Sequence, residues 1–430
     1  MFRRQAYRYR IYPTPAQEAF FRQIAGACRF VYNLALEQRE RFSRRGRAIN
    51  YNAQQNELPA LKAEAPWLND VPSHCLQSAL RDLDRAFANF FDGRADFPRY
   101  RHRGRAESFR FPDPKQFHVD VTSSALIAPK FGKTRKDFGA LAIRLHRPLC
   151  GKIKNLTISR DAAAWYASFS VERQVKPAPQ RSAQDLLATA VGIDRGVASP
   201  FVLSTGEAFG QTIEGPREQL RLRRLQKSLS RKRHGSNNRR KAIQRIAAHK
   251  ARMAHRRKDS LHKLTHQIAK SHGLIVIEKL AVVNMTASAA GTRAEPGRNV
   301  AQKSGLNRAI LDKGWGEFQR QLGYKAEWHG CRVVEVDSRF TSQICSECDH
   351  VDASSRLSQS EFRCVECGYE AHADVNAARN ILKRGLAVVA NETKTKPTGG
   401  GLPLAVCGDL ANRRSAKQKQ TGASLKKGAA

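Results

Sequence analysis

Ala188-Thr-Ala-Val-Gly-Ile-Asp194-Arg-Gly-Val-Ala-Ser-Pro-Phe-Val-Leu203 is an apolar run that ends in a carboxylate and then turns back on itself. Residues 188–193 read as a buried strand, Gly196 breaks it, 199–203 form a second strand, and Thr205-Gly206 marks the next turn. A strand that ends in Asp and returns by a hairpin leaves that carboxylate at a sheet edge, open to a metal ion. Further along, Leu274-Ile-Val-Ile277 is a second apolar strand, and it too ends in an acid, Glu278, after a long helical stretch and His272-Gly273. A third acid, Asp374, opens a helix whose body is Val375-Asn-Ala-Ala-Arg-Asn-Ile-Leu382. Alone, each has an ordinary explanation: a turn-forming Asp, a surface Glu and a helix-capping Asp. Together, two carboxylates at strand ends and one on a helix are a donor set suited to phosphodiester hydrolysis. Such a set holds two magnesium (or manganese) ions, one activating water and one stabilising the leaving oxygen. Asp194, Glu278 and Asp374 are therefore the candidate catalytic and metal-binding residues.

Cys345-Ser-Glu-Cys348 and Cys364-Val-Glu-Cys367 are separated by fifteen residues, the spacing of a four-cysteine zinc ribbon. Two knuckles aim four thiolates at one structural zinc ion, and binding drives the folding of a stretch with little core of its own. Gly368 follows the second knuckle, where tight backbone is wanted. After the first knuckle stands Asp349, a less ideal residue for that turn, and His350 is an alternative candidate ligand to the four cysteines. Six residues separate Cys367 from Asp374, so metal binding is expected to help position the catalytic helix. The other cysteines, Cys28, Cys75, Cys150, Cys331 and Cys407, are scattered and read as ordinary buried or surface residues.

The charge points to a polyanion. Across 430 residues, 76 Lys and Arg against 38 Asp and Glu give a formal charge of +38. Such self-repulsion is offset by bound phosphates, with release of their counterions. Basic residues occur in nearly every segment, which disfavours a membrane surface, and no apolar run is long enough to span a bilayer. Met1 to Arg10 is basic and aromatic and lacks the apolar core of a secretory signal. A cytoplasmic, nucleoid-associated location is expected, where disulfides are rare.

Two stretches are candidate nucleic-acid contacts. Residues 217–258 hold 17 Lys or Arg and one acid, and Gly235-Ser-Asn-Asn238 divides them into two long basic helices. This reads as a phosphate-tracking hairpin, with Arg231, Lys232, Arg233, Arg239 and Arg240 about its turn. In Phe97-Pro-Arg-Tyr-Arg-His-Arg-Gly-Arg105, guanidinium groups interleave with rings; Arg99, Tyr100, Arg101 and Arg103 suit base stacking and phosphate contact. Elsewhere, residues 7–12 alternate as a strand and Thr14-Pro15 starts a helix. That helix spans about 16–41, with Phe20, Ile24, Cys28, Val31 and Leu34 at helical spacing, and a second runs about 73–91. Residues 117–172 look strand-rich, 284–305 like a mobile loop, and the last 45 residues like a disordered tail.

Val191-Gly-Ile-Asp-Arg-Gly-Val197, Leu274-Ile-Val-Ile-Glu278, Thr341-Ser-Gln-Ile-Cys-Ser-Glu-Cys348, Cys364-Val-Glu-Cys-Gly368 and His372-Ala-Asp-Val-Asn-Ala-Ala378 together resemble the TnpB (OrfB) family of transposon-encoded proteins, relatives of type V CRISPR effectors. Tyr12-Pro-Thr14 and Arg29-Phe-Val-Tyr-Asn33 look like that family's N-terminal, helix-turn-helix-type domain. The resemblance covers about residues 1–385. It implies an α/β multidomain protein: an RNase H-like (RuvC) nuclease domain with an inserted zinc ribbon, an N-terminal helical lobe and a β-barrel-like segment. Residues 1–13 would supply the first strand of the barrel (wedge) domain, 14–96 the helical recognition lobe, 97–173 the β-rich wedge and 174–187 a linker. The nuclease domain would take 188–338, with a basic helical insert at 217–270, and end at 370–385 after a ribbon at 339–369; 386–430 would be a disordered basic tail. The resemblance also implies a guide RNA derived from the transposon end, a double-stranded DNA target, and metal-dependent hydrolysis at the residues matching 194, 278 and 374.

Two other readings compete with an RNA-guided endonuclease. One is an acidic-triad transposase carrying out strand transfer, which would share fold and metals. The zinc ribbon before Asp374 and the large basic insert between the first two acids favour hydrolysis. The other is a non-catalytic DNA- or RNA-binding regulator of transposition, which has no need to concentrate negative charge near bound phosphates.

Overall fold

The computed structural model describes residues 1–394, except 45, 47, 106, 129–138, 163, 180, 211 and 212. These fall into two compact units that divide after Lys176.

The first unit joins β1 (Phe2–Tyr12), α1 (Pro15–Arg44), α2 (Tyr51–Asn56), α3 (Leu58–Glu64), α4 (Ser73–Phe91), β2 (Ser108–Phe111), β3 (His118–Asp120), β4 (Ala125–Ile127), β5 (Leu141–Arg144), β6 (Lys152–Asp161) and β7 (Ala164–Gln174). Its seven strands form one antiparallel sheet, ordered β2-β6-β7-β1-β5-β4-β3. Alternation puts Tyr9 and Ile11 of β1 inward, where they meet Trp165 and Phe169 of β7. Phe21, Ile24, Cys28 and Val31 of α1, with Leu76, Leu80 and Leu83 of α4, close the same core. Leu34 does not join them. The buried stripe steps from Val31 to Ala35, and Leu34 faces outward at 39% exposure.

The second unit contains α5 (Ala183–Ala188), β8 (Val191–Asp194), β9 (Phe201–Leu203), β10 (Ala208–Phe209), α6 (Pro216–Ser230), α7 (Asn237–Ser271), β11 (Leu274–Glu278), α8 (Val282–Met285), α9 (Val300–Lys313), α10 (Trp315–His329), β12 (Arg332–Val336), β13 (Glu361–Arg363), β14 (Glu370–His372) and α11 (Ala373–Lys394). Its main sheet runs β10-β9-β8-β11-β12. The first three strands form an antiparallel meander, while β8, β11 and β12 are parallel. Side chains alternate across this sheet. Ile275 and Ile277 face a core with Leu264 and Ile268 of α7 and Phe318 and Leu322 of α10. Leu274 and Val276 face the opposite core with Ile381 and Val389 of α11.

Three expected boundaries shift. The segment at 174–187 is not all linker, because Ser182 and Asp185 make a reciprocal capping box that starts α5. The loop expected over 284–305 gives way to α9 at Val300. The expected tail from 386 begins inside α11, which runs to Lys394 because Leu386 and Val389 continue its apolar face onto the sheet. Residues 395–430, the rest of that expected tail, lie outside the described residues.

α11 approaches the sheet too closely for side chains at two points. A Cβ on Gly192 of β8 would stand 2.1 Å from the Ala378 carbonyl oxygen, and one on Gly385 would stand 2.3 Å from Val276 Cγ2. The Gly192 contact is with backbone, which cannot rotate away. Gly192→Ala is expected to cost about 1–3 kcal/mol, as overpacking in a tight core does. Thermal unfolding of the full chain checks it, and an unchanged midpoint would show that α11 can shift freely.

Candidate active and metal-binding sites

The period of two that builds the sheet also aims its acids. Asp194 has the parity of Gly192 and Glu278 that of Val276, so both carboxylates leave the sheet on the side α11 covers. Asp374 is the second residue of α11. The three predicted acids, from three distant stretches, are thereby brought to one place. Burial first, and then the charges of Glu278 and Asp374, raise the Asp194 carboxyl from its ordinary 3.8 to about 7. Burial also raises Glu278, against the opposing hydrogen bond from Thr341 and the charges of Arg195 and Arg384. Glu278 and Asp374 are both less than a tenth exposed. Concentrating partly or wholly buried carboxylates is costly unless cations offset them. Among the described residues one ion pair reaches the three: Arg356 stands 3.6 Å from Asp374.

Several residues that the sequence reading did not single out hold this arrangement. The Arg195 guanidinium, only 4% exposed, donates to the backbone carbonyl of Glu278. Thr341 Oγ1 donates to Glu278 Oε1 at 2.8 Å. Asn376 and Asn380 of α11 hold the chain leading into the first cysteine knuckle. Polar residues that recur at i, i+4 within an otherwise apolar helix face were the available signal for the two asparagines.

The four predicted cysteines form a single cluster. Their sulfurs lie within 4.8 Å of one another, with Cys345 to Cys367 at 3.7 Å and Cys348 to Cys364 at 3.6 Å. Tetrahedral zinc with bonds of about 2.3 Å requires sulfurs about 3.8 Å apart, so the set fits one ion. The backbone N–H of Cys367, the largest influence, pulls the Cys364 thiol down to about 6, which favours the ligating thiolate. The two knuckles repeat one geometry. Asp349 N–H bonds the Cys345 carbonyl and Gly368 N–H bonds the Cys364 carbonyl. Both residues are left-handed, at φ 61° and 73°. Asp tolerates this region better than most side chains, and Lys383 pairs with its carboxylate at 3.0 Å. Cys345 N–H donates to the His350 carbonyl, and the sulfur cluster is complete without the His350 ring.

The candidate nucleic-acid residues divide. In the second unit, α6 and α7 form the expected basic hairpin, with Arg231, Lys232, Arg233 and Arg240 exposed at or beside its turn. Arg239 is turned inward, toward the Leu229 and Lys232 carbonyls. In the first unit Arg99 and Arg103 are exposed, and Tyr100 is 40% exposed with its hydroxyl on Glu40. Arg101 is committed internally: its guanidinium lies 3.8 Å over the Tyr32 ring and pairs with Asp82, and its backbone N–H and carbonyl bond the Asn33 side-chain amide. Among the described residues no helix is long and apolar enough to cross a membrane.

Comparison with known proteins gives three family matches: a helix-turn-helix domain over residues 1–47, a probable transposase over 168–289, and a Cas12f1-like TNB domain over 315–381. A protein of Escherichia coli (strain K12) named "Putative RNA-guided DNA endonuclease InsQ" is 44% identical over 393 residues, covering 91% of this chain and 94% of that one. A protein from Streptomyces pristinaespiralis, likewise named an RNA-guided DNA endonuclease of putative standing, is 37% identical over 90% of both chains. The fold resembles the protein in a cryo-EM structure of a Cas12f1-sgRNA-target DNA complex, with a TM-score of 0.55 at 14% identity, covering 88% of this chain and 98% of that one.

Proposed function

The chain belongs to the TnpB (OrfB) family of transposon-encoded proteins, and from that premise we propose that it is an RNA-guided DNA endonuclease that hydrolyses phosphodiester bonds at Asp194, Glu278 and Asp374. The observation that carries the reading is the convergence of three acids onto one face of the sheet, in a chain of charge +38. A meander extended by two parallel strands, with helices on both faces, supports an RNase H-like (RuvC) nuclease domain.

All donors at this centre are carboxylate oxygens, which suit hard cations such as magnesium or manganese. Bound there, a pair of such ions would activate water and stabilise the leaving oxygen. The strands fix two ligands and the helix fixes the third, so the ligand set is arranged before substrate arrives. Thr341 orients Glu278, and Arg356 offsets part of the negative charge at Asp374. The four cysteines suit one structural zinc ion, making residues 339–369 a zinc ribbon.

The partners are a guide RNA from the transposon end and a double-stranded DNA target. Base pairing would choose the sequence, with a short duplex motif read by the protein. The exposed arginines and lysines of the α6–α7 hairpin and of residues 99–103 offer phosphate contacts. The test is to purify the full chain, sequence the RNA that travels with it, and offer DNA matching that RNA. Magnesium-dependent cutting of matched DNA alone is expected. Absence of bound RNA, or cutting indifferent to match, would sink the reading, and joined strands among the products would indicate strand transfer instead.

A further inference from the structure

The arm between β12 and the first cysteine knuckle, residues 338–346, touches both halves of the proposed catalytic centre. Its anchor is unusual: Phe340 holds a left-handed backbone at φ 61°, a costly conformation for a bulky residue. Immediately after it, Thr341 is 4% exposed. Its hydroxyl stands 2.8 Å from Glu278 Oε1 and 3.1 Å from the Ser338 carbonyl oxygen. One hydroxyl proton serves one acceptor at a time, and the ionised carboxylate is the stronger.

The same arm is clamped to the helix that carries Asp374. Asn380 Nδ2 donates to the Thr341 and Ile344 carbonyls, at 3.0 and 2.6 Å. Asn376 Nδ2 donates to the Ile344 carbonyl at 2.7 Å, and its Oδ1 accepts from Ser346 N–H at 2.9 Å. Asn376 is fully buried and Asn380 nearly so. Ser346 already lies inside the first knuckle, beside Cys345. A short chain of bonds therefore runs from a zinc ligand, through two asparagines on α11 and through Thr341, to the carboxylate of Glu278.

We propose that Thr341 is a positioning residue for cleavage: its hydroxyl sets the orientation of the Glu278 carboxylate, and the Asn376–Asn380 clamp makes that orientation depend on a folded ribbon. This rests on the reading of Glu278 as a catalytic-metal ligand. A purely structural tie between ribbon and helix needs only the two asparagines and the backbone carbonyls they hold. That tie does not use the hydroxyl that Thr341 places on Glu278.

The test uses Thr341→Val, which keeps the shape and deletes the hydroxyl, and Thr341→Ser, which keeps the hydroxyl. In single-turnover cutting of matched DNA by the RNA-loaded protein, Thr341→Val is expected to slow cleavage about 10- to 100-fold, the scale of one hydrogen bond to a charged group. Thr341→Ser restores most of that rate. Manganese binding to the full chain, followed by electron paramagnetic resonance, weakens in the valine variant, while zinc content and target affinity stay as in the parent. A valine variant that cuts and binds manganese like the parent would overturn the proposal. So would a serine variant as slow as valine, or loss of zinc or of target binding in the valine variant. Glu278→Gln, run alongside, separates the two levels. If it cuts at the parental rate, the assignment of the centre itself fails; if it is inactive while Thr341→Val is not, only the positioning role fails.

Discussion

Asp194→Asn is expected to abolish cleavage and, in metal-free buffer at neutral pH, to make the protein more stable. The loss should be at least about 10³-fold, since a Lewis-acid ion contributes several kcal/mol to the barrier. The gain follows from the carboxyl's environment. Burial, then Glu278 and Asp374, raise Asp194 from 3.8 to about 7 in the folded chain. Between about pH 4 and 7 the native state therefore holds a proton that the unfolded chain releases, so stability falls as pH rises through that window and levels off above it. A shift of about three units corresponds to about 4 kcal/mol at most, and solvent at this partly accessible group leaves about 1–4 kcal/mol. Asparagine removes that cost. Its unfolding midpoint should exceed the parent's at pH 7.5, and the gap should close toward pH 4. Adding magnesium should stabilise the parent more than the variant. Equal midpoints at both pH values, with cleavage intact, would mean that Asp194 neither faces its two partners nor binds metal.

The acids and cysteines were legible because their chemistry is local in sequence. An apolar strand that stops at a carboxylate states where that carboxylate sits, and the spacing of four cysteines states that they meet. What joins them was less visible. Gly192 within the first strand carried no sign that a helix far along the chain presses on it; that contact exists only in three dimensions. Thr341 read as one residue of a familiar motif, and its hydroxyl acquires meaning only when β11 lies beside the arm. Arg101 shows the opposite failure. Its basic, aromatic neighbourhood suggested a nucleic-acid contact, yet Tyr32 and Asp82 occupy its guanidinium. Helix ends were missed where packing overrode composition. Residues beyond 385 looked tail-like by their flanking Gly, Lys and Thr, but Leu386 and Val389 still had a sheet to cover.

Cys364→Ser should empty the zinc site and silence the nuclease without unfolding the whole protein. The proposed ribbon has little else to hold it: its buried cluster is Cys345, Phe362, Cys364 and Ala373, with Tyr369 against it, and β13 and β14 share three residue pairs. Zinc binding in small domains supplies about 10–16 kcal/mol, far more than such a core can replace. Replacing the Cys364 thiol with a hydroxyl removes one of the four sulfur ligands and leaves three. Elemental analysis should find zinc near one equivalent in the parent and far less in the variant. Hydrogen exchange should show protection lost between about residues 340 and 372, while the sheet of the first unit, with its own core, keeps its protection. Cutting should fail because the arm that holds Glu278 and clamps α11 through Asn376 and Asn380 is continuous with the first knuckle. Stripping the parent with a strong chelator and returning it to magnesium-containing, zinc-free buffer should reproduce the loss, and added zinc should reverse it there but not in the variant. Retention of a full equivalent of zinc would count against the four-thiolate site. Zinc loss with undiminished cutting would break the link between the cysteine cluster and the proposed catalytic centre.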